Sequence, residues 1–130
     1  MKEILIGQKL TVESEVTEER LACSVGSGEL PVYATPAMAA LMENAAASLL
    51  KGSLEEGETS VGVSLNLAHS SASPLGAKVR AEAEITGVDR KRVSFLVIAY
   101  DQAGEIGRAE HDRFVVGAEK FLAKANAKNA

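Results

Sequence analysis

Residues 35–52 read TPAMAALMENAAASLLKG, and this stretch decides the fold. Thr35 is a residue type favoured as a helix N-cap, and Pro36 suits the first helical position because its missing N–H has no partner there. Gly52 marks the end of the pattern as a natural C-terminal stop. The stretch therefore predicts a helix of about 16 residues, roughly 24 Å long.

The residues of this predicted helix are apolar on nearly every side of it. Between residues 36 and 50 only Glu43 carries a charge. A helix of this kind is buried on most of its faces, so Glu43 is expected to be embedded in apolar surroundings. A buried carboxylate has to be paired, hydrogen-bonded or shifted in pKa, and such groups gather at working sites. A structural ion pair, or a side chain reaching solvent at a subunit seam, explains an isolated Glu equally well.

Strand patterns lie on both sides of the helix. Residues 9–16 alternate between apolar and polar side chains, as a half-buried strand does. Four further strands are predicted after the helix, at residues 60–69, 77–88, 92–100 and 105–116. The third of them, RVSFLVIAY, is apolar on both faces and is expected to be central. Turn signatures separate the segments, so the pattern predicts four consecutive hairpin-linked strands.

This order of elements predicts an α+β architecture, with an antiparallel sheet and one helix on a single face. Because the helix is apolar on most sides, the sheet is expected to wrap around it, which describes the hotdog fold with one long central helix. A length of 130 residues fits one domain, 1–130. A single layer leaves an edge strand and part of the helix uncovered, so we expect a homodimer, with a tetramer as a further step.

The composition and the N-terminal sequence restrict the kinds of partner and the compartment expected for the protein. The net charge of -4 gives no electrostatic reason to expect nucleic acid. Cys23 is the one cysteine, which fits a reducing cytosol. The N-terminus lacks the shape of a signal peptide, and no run approaches the roughly 18 apolar residues of a membrane span. We therefore expect a cytoplasmic protein without a membrane partner.

Metal and phosphate motifs are missing from the sequence. Two His and one Cys without clustered ligand spacing do not predict a zinc site. The sequence has no Gly-rich phosphate loop of the P-loop or dinucleotide type, and no Ser nucleophile elbow. Neither a metal nor a separate cofactor is expected.

Two histidines and one threonine are further candidates for chemistry. His69 ends an alternating strand beside a polar loop, a good place for a general base, although position alone favours a surface His without a role. His111, in the last predicted strand, is either structural or part of the site. Thr35 precedes Glu43 by eight residues on about the same helix face, about 12 Å away along the axis, which is too far for contact within one chain.

Three motifs carry a resemblance to a known family. They are VYATPAMAALMENAA at residues 32–46, VGVSLNLAHSSASPLG at 61–76 and RAEHDRFVV at 108–116. Together, in this order, they resemble the fluoroacetyl-CoA-thioesterase-like branch of the hotdog thioesterases over most of the chain.

The resemblance implies an activity and a set of site residues. In that family the catalytic set consists of a Thr at the helix start, a Glu within the helix and a His at the strand end. The matching residues here are Thr35, Glu43 and His69. A Gly and an Arg that help to bind substrate match Gly62 and Arg113. The implied reaction is metal-independent hydrolysis of an acyl-CoA, with coenzyme A as part of the substrate and active sites between the subunits of a homodimer.

The segment ahead of the helix departs from the family pattern. Fluoroacetyl selectivity is tied there to a bulky, partly aromatic lid, whereas residues 23–33 contain only Tyr33 as an aromatic residue. A short-chain or generic acyl-CoA is therefore expected. The alternatives are an enoyl-CoA hydratase or dehydratase on the same fold, a non-catalytic acyl-CoA-binding protein, and a structural hotdog dimer.

Overall fold

The computed structural model describes residues 1–129, which form a five-stranded antiparallel sheet with one long helix packed on it. The helices and strands are β1 (Lys9–Glu15), α1 (Ala22–Val25), α2 (Thr35–Lys51), β2 (Glu58–His69), β3 (Lys78–Asp89), β4 (Arg92–Asp101), β5 (Gly104–Gly117) and α3 (Ala118–Asn126). The predicted central helix and all five predicted strands are confirmed, with ends close to those expected. Within residues 1–129 no helix is long and apolar enough to cross a membrane.

The strands lie in the order β1-β3-β4-β5-β2. The central position of β4 agrees with its apolar character on both faces. Hairpins join β3 to β4 and β4 to β5, but β2 pairs with β5 at the far edge of the sheet. The expectation of four consecutive hairpin-linked strands is therefore wrong at one connection, since the chain crosses over between β2 and β3.

Contacts made by Ser73 explain this crossover. Its carbonyl accepts a hydrogen bond from the Tyr33 backbone N–H at 2.8 Å, and its buried hydroxyl donates to Asp101 at 2.8 Å. Residues 70–77 are thus held across the end of the sheet, between the approach to α2 and the turn after β4. These long-range bonds direct the chain past β5 and β4 instead of back along β2.

The core lies between α2 and the inner face of the sheet. Its helix side consists of Met38, Met42, Ala45, Ala46 and Leu50. Burial of each large apolar side chain of this kind stabilises the fold by about 1.5–3 kcal/mol. Inner-face residues of β3, β4 and β5 complete the core, with Phe95 the bulkiest of them.

The opposite face of α2 is not covered. Pro36, Ala40 and Asn44 are exposed, and Ala39, Glu43 and Ala47 are half-buried. The expectation that the helix is buried on most faces is wrong for a single chain, because one sheet layer reaches only one side of a helix. The uncovered side consists largely of small apolar residues.

Candidate active site

Thr35 and His69 meet where α2 begins and β2 ends. Thr35 Oγ1 lies 2.8 Å from His69 Nδ1. A backbone hydrogen bond ties the two segments together, because the Tyr33 N–H, just before the helix, donates to the Ser73 carbonyl, just after β2, at 2.8 Å. The long-range bonds of the fold therefore create this pair.

The N-cap prediction for Thr35 is wrong. Ala34 occupies the N-cap position with extended backbone, and Thr35 is already the first helical residue. A capping side chain needs the non-helical backbone of the N-cap position. The Thr35 hydroxyl is instead committed to His69, which favours a role in the site over a role in starting the helix.

The other ring nitrogen of His69 has no partner. Nε2 is buried and makes no hydrogen bond to any of residues 1–129. A buried polar atom without a partner is uncommon and costs free energy, so it marks a place where a ligand or water is needed. Burial lowers the pKa of His69, so the ring is neutral at neutral pH and available to take a proton.

A cavity of about 230 Å³ adjoins this pair. Tyr33 contributes one wall and packs edge-on to His69, with ring centroids 6.3 Å apart. The remaining lining consists of Val32 and smaller residues: Ala22, Ser27, Ser70, Ser71 and Ala72. The room beside Thr35 and His69 is therefore limited and partly polar.

Glu43 of α2 forms an ion pair with Arg113 of β5. Arg113 Nη1 donates to Glu43 Oε2 at 3.4 Å, and the side chains are 9% and 45% exposed, respectively. The expectation of a deeply embedded carboxylate is therefore wrong, because Glu43 lies on the uncovered part of the helix. The arginine is the buried partner, and the carboxylate faces outward with a cation beneath it.

Arg113 is held by three further contacts. Its Nε donates to Ser60 Oγ at 2.9 Å and its Nη2 to the Ser60 carbonyl at 3.1 Å. Its Nη1 lies 3.2 Å from His111 Nε2. This buried guanidinium is placed to hold Glu43, and its part in binding substrate stays a prediction. Ser60 was not predicted from the sequence, where its only signal is its place two residues before Gly62, on the same side of β2.

Gly62 makes room for the Glu43 carboxylate. A Cβ atom added there would collide with Glu43 Oε2 and would lie 3.3 Å from both Arg113 Nη1 and His111 Cε1. A bulge between Gly62 and Ser64 shifts the register of β2 against β5 and interrupts the regular alternation predicted for this strand. The glycine is thus needed for a close approach of β2 to the charged pair.

The structure divides the predicted site residues into two clusters. The first contains Thr35 and His69; the second contains Glu43, Gly62 and Arg113, together with His111, which is 1% exposed. Within one chain Glu43 does not meet Thr35 or His69, because eight residues of helix separate the clusters by about 12 Å. Among residues 1–129 no three His, Cys, Asp or Glu side chains are grouped as metal ligands.

Comparison with known proteins decides the family. The model of the family described as FlK, fluoroacetyl-CoA-specific thioesterase, matches residues 16–119. This chain belongs to the fluoroacetyl-CoA-specific thioesterase family. A fluoroacetyl-CoA thioesterase of the family from Streptantibioticus cattleyicolor is 40% identical over 97 residues, covering 75% of this chain and 70% of the relative.

Solved structures agree with membership of the fluoroacetyl-CoA-specific thioesterase family. A structure of a threonine-to-serine mutant of FlK in complex with acetyl-CoA has a TM-score of 0.93 at 31% identity and covers 98% of this chain and 100% of its own. A thioesterase superfamily member from Thermus thermophilus has a TM-score of 0.92 at 29% identity, covering 99% of this chain and 96% of its own. The predicted hotdog fold and the predicted family are both confirmed.

Proposed function

We propose that the protein is an acyl-CoA thioesterase in which Thr35, Glu43 and His69 form the catalytic set. The observation that carries the proposal is the Thr35–His69 contact of 2.8 Å beside a cavity, with the unpartnered His69 Nε2 next to it. Membership of the fluoroacetyl-CoA-specific thioesterase family supports the reaction class. We further propose that the protein is a single domain that acts in the cytoplasm without a metal or a separate cofactor.

The separation of the two clusters supports a homodimer with shared active sites. Thr35 and Glu43 are equally far along the sequence from Ala39, a small and half-buried residue on the uncovered face of α2. If a second α2 packs antiparallel with the two-fold axis at Ala39, Glu43 of each chain lies opposite Thr35 of its partner. The small side chains along this face allow the close approach that such packing needs.

The sheet edge supports the same assembly. β2 has twelve residues and, within the described chain, hydrogen-bonds to β5 on one side. An uncovered edge of that length favours pairing with another strand. Pairing of two copies through the β2 edges and the α2 faces would bury both uncovered surfaces at once.

The proposed reaction converts an acyl-CoA and water to a carboxylic acid and coenzyme A. Glu43 either attacks the carbonyl carbon, giving an anhydride that water then cleaves, or removes a proton from the attacking water. Neutral His69 moves the proton between water and the leaving thiolate. Thr35 and the first-turn amides of α2 would stabilise the negative charge that develops on the carbonyl oxygen.

The cavity favours a short acyl group. Apart from Thr35 and His69, its lining consists of alanine and serine with Val32 and Tyr33, in a volume of about 230 Å³. These residues provide little apolar surface for a long alkyl chain, whose burial would supply about 0.8 kcal/mol per CH₂. We therefore propose short-chain acyl-CoA esters as substrates.

A panel of acyl-CoA esters of increasing length, assayed with a thiol-reactive dye, tests this function. We expect thiol release to be fastest on short acyl groups and to fall with chain length. An enoyl-CoA in the panel tests the hydratase alternative, which predicts hydration without free thiol. Lack of thiol release from every ester would show that the protein is not a thioesterase.

Replacing Gly62 with alanine is expected to lower kcat/KM by about 100-fold, because the new Cβ would push the Glu43 carboxylate away from its place. Gly87→Ala is a matched control, since a Cβ there makes an ordinary contact of 3.8 Å with Ser94. Thioesterase kinetics and thermal unfolding of both variants provide the comparison. Equal kcat/KM for the two would mean that Gly62 has no part in placing Glu43.

A further inference from the structure

The His111 side chain is buried in the second cluster and makes two polar contacts. Nδ1 lies 2.7 Å from the Ser64 carbonyl oxygen, and Nε2 lies 3.2 Å from Arg113 Nη1. The Phe95 ring packs at a centroid distance of 6.0 Å. The side chain is therefore fixed by contacts to β2, β4 and its own strand.

These two contacts determine the tautomer. A backbone carbonyl can only accept a hydrogen bond, so His111 Nδ1 carries the proton and donates to Ser64. Arginine can only donate, so Nε2 is the unprotonated atom and accepts from Arg113 Nη1. The neutral Nδ1–H form satisfies both partners.

We propose that His111 is a positioning residue that aims the Arg113 guanidinium at Glu43. The proposal rests on the proposed function, in which the Glu43 carboxylate takes part in thioester hydrolysis. His111 reaches that carboxylate only through Arg113.

The hydrogen bonds of the guanidinium show why an acceptor is needed at this position. Ser60 engages Nε and Nη2, which leaves Nη1 to serve both Glu43 and His111. Nη1 has two N–H bonds, and His111 Nε2 takes the one that Glu43 does not. Without that acceptor, a buried N–H would lose its partner and the guanidinium could rotate away from Glu43.

This arrangement makes the placement of Glu43 depend on the protonation of His111. A protonated ring would present N–H at Nε2 to the N–H of Arg113, so the acceptor would be replaced by a second cation. The charged groups that act on the ring are Glu43 from α2 and Arg113 and Asp112 from β5, while β2 and β4 contribute Ser64 and Phe95. Burial, aided by the Arg113 charge, lowers the pKa of His111 from its ordinary value of 6.5, so the ring accepts a proton only below neutral pH.

Two non-titrating variants separate positioning from packing. The oxygen of His111→Gln reaches about where Nε2 lies, whereas His111→Asn reaches only as far as Nδ1. We expect kcat of His111→Gln within about 3-fold of wild type and kcat of His111→Asn lower by about 30-fold, with KM nearly unchanged in both. Equal kcat for the two variants would overturn the proposal.

The pH profile is a second readout that a purely structural role would not change. Burial lowers the pKa of His69 as well, so activity of the wild type should fall on acidification through protonation of both rings. In His111→Gln the protonation step at residue 111 is absent, so log(kcat/KM) should fall less steeply below pH 6.5 than in the wild type. An unchanged slope would contradict the proposal.

Ring nitrogen chemical shifts test the tautomer without activity or mutation. In ¹⁵N-labelled wild-type protein at neutral pH, His111 should show a protonated Nδ1 and an unprotonated Nε2. A protonated Nε2 would overturn the proposal even if neither variant folds. Wild-type turnover by Glu43→Ala would instead contradict the proposed function, so the two failures are distinguishable.

Discussion

Replacing Glu43 with alanine is expected to lower kcat for acyl-CoA hydrolysis by about 10³-fold, whether the carboxylate attacks the thioester or activates water. The side chain is the carboxylate held beside Arg113 on the uncovered face of α2, and no neighbouring group of α2 can replace it, because Glu43 is the only charged residue between 36 and 50. Thiol release from the best short acyl-CoA provides the measurement.

Glu82→Ala is a matched control for this experiment. Glu82 is 38% exposed, close to the 45% of Glu43, and it too lies near a cation, Lys9. Its loss should leave kcat unchanged. A Glu43→Ala variant as active as Glu82→Ala would remove Glu43 from the catalytic set.

Hydrolysis in ¹⁸O-labelled water distinguishes the two proposed roles of Glu43, nucleophile and general base. In a single turnover in ¹⁸O-water, attack by the carboxylate on the thioester leads to label in Glu43 when water cleaves the anhydride at the enzyme carbonyl. Activation of water puts the label into the acid product alone. Mass spectrometry of the peptide containing Glu43 reads out the difference.

Mixing two inactive variants is expected to restore activity. His69→Ala and Glu43→Ala each damage one cluster, and each alone should be nearly inactive. If the catalytic set joins clusters from two chains, a mixed dimer contains one site with both defects and one site with neither. Random assortment then restores about a quarter of the wild-type rate.

The arrangement of the clusters is what makes this test sensitive. Within one chain, the helix keeps Glu43 about 12 Å from Thr35, which is the contact partner of His69. Co-refolding of the two variants, followed by a thiol-release assay, measures the restoration, with each variant refolded alone as the control. Activity no higher than that of the separate variants would contradict shared sites.

The sequence predicted the local elements well, because their signals are local. Pro36 and Gly52 bracket α2, and alternation of apolar residues marks the strands. The crossover from β2 to β3 could not be read in the same way. It depends on bonds from Ser73 to Tyr33 and Asp101, which are distant in sequence.

The candidate site was predicted as a list of residues and not as an arrangement. The family resemblance supplied Thr35, Glu43 and His69, but the sequence alone assigned Thr35 to helix capping and left His111 undecided. Helix backbone geometry at Thr35 excludes the capping role and turns its hydroxyl to His69. His111 lies beside Arg113 because the two residues are two apart on β5 and share a face, whereas the pairing of β2 with β5 brings Ser64 to the ring.

By itself, the sequence determined the α2 helix, the five strands, the hotdog fold and the residue types available for chemistry, because periodicity, helix ends and motifs are properties of neighbouring residues. Only the tertiary structure decided that Glu43 is half-exposed above a buried Arg113, and that the Thr35–His69 pair lies apart from it. The physical reason is that one sheet layer covers one face of α2. Which residues are buried, paired or left for a partner depends on that coverage, and coverage is set by contacts between residues far apart in the chain.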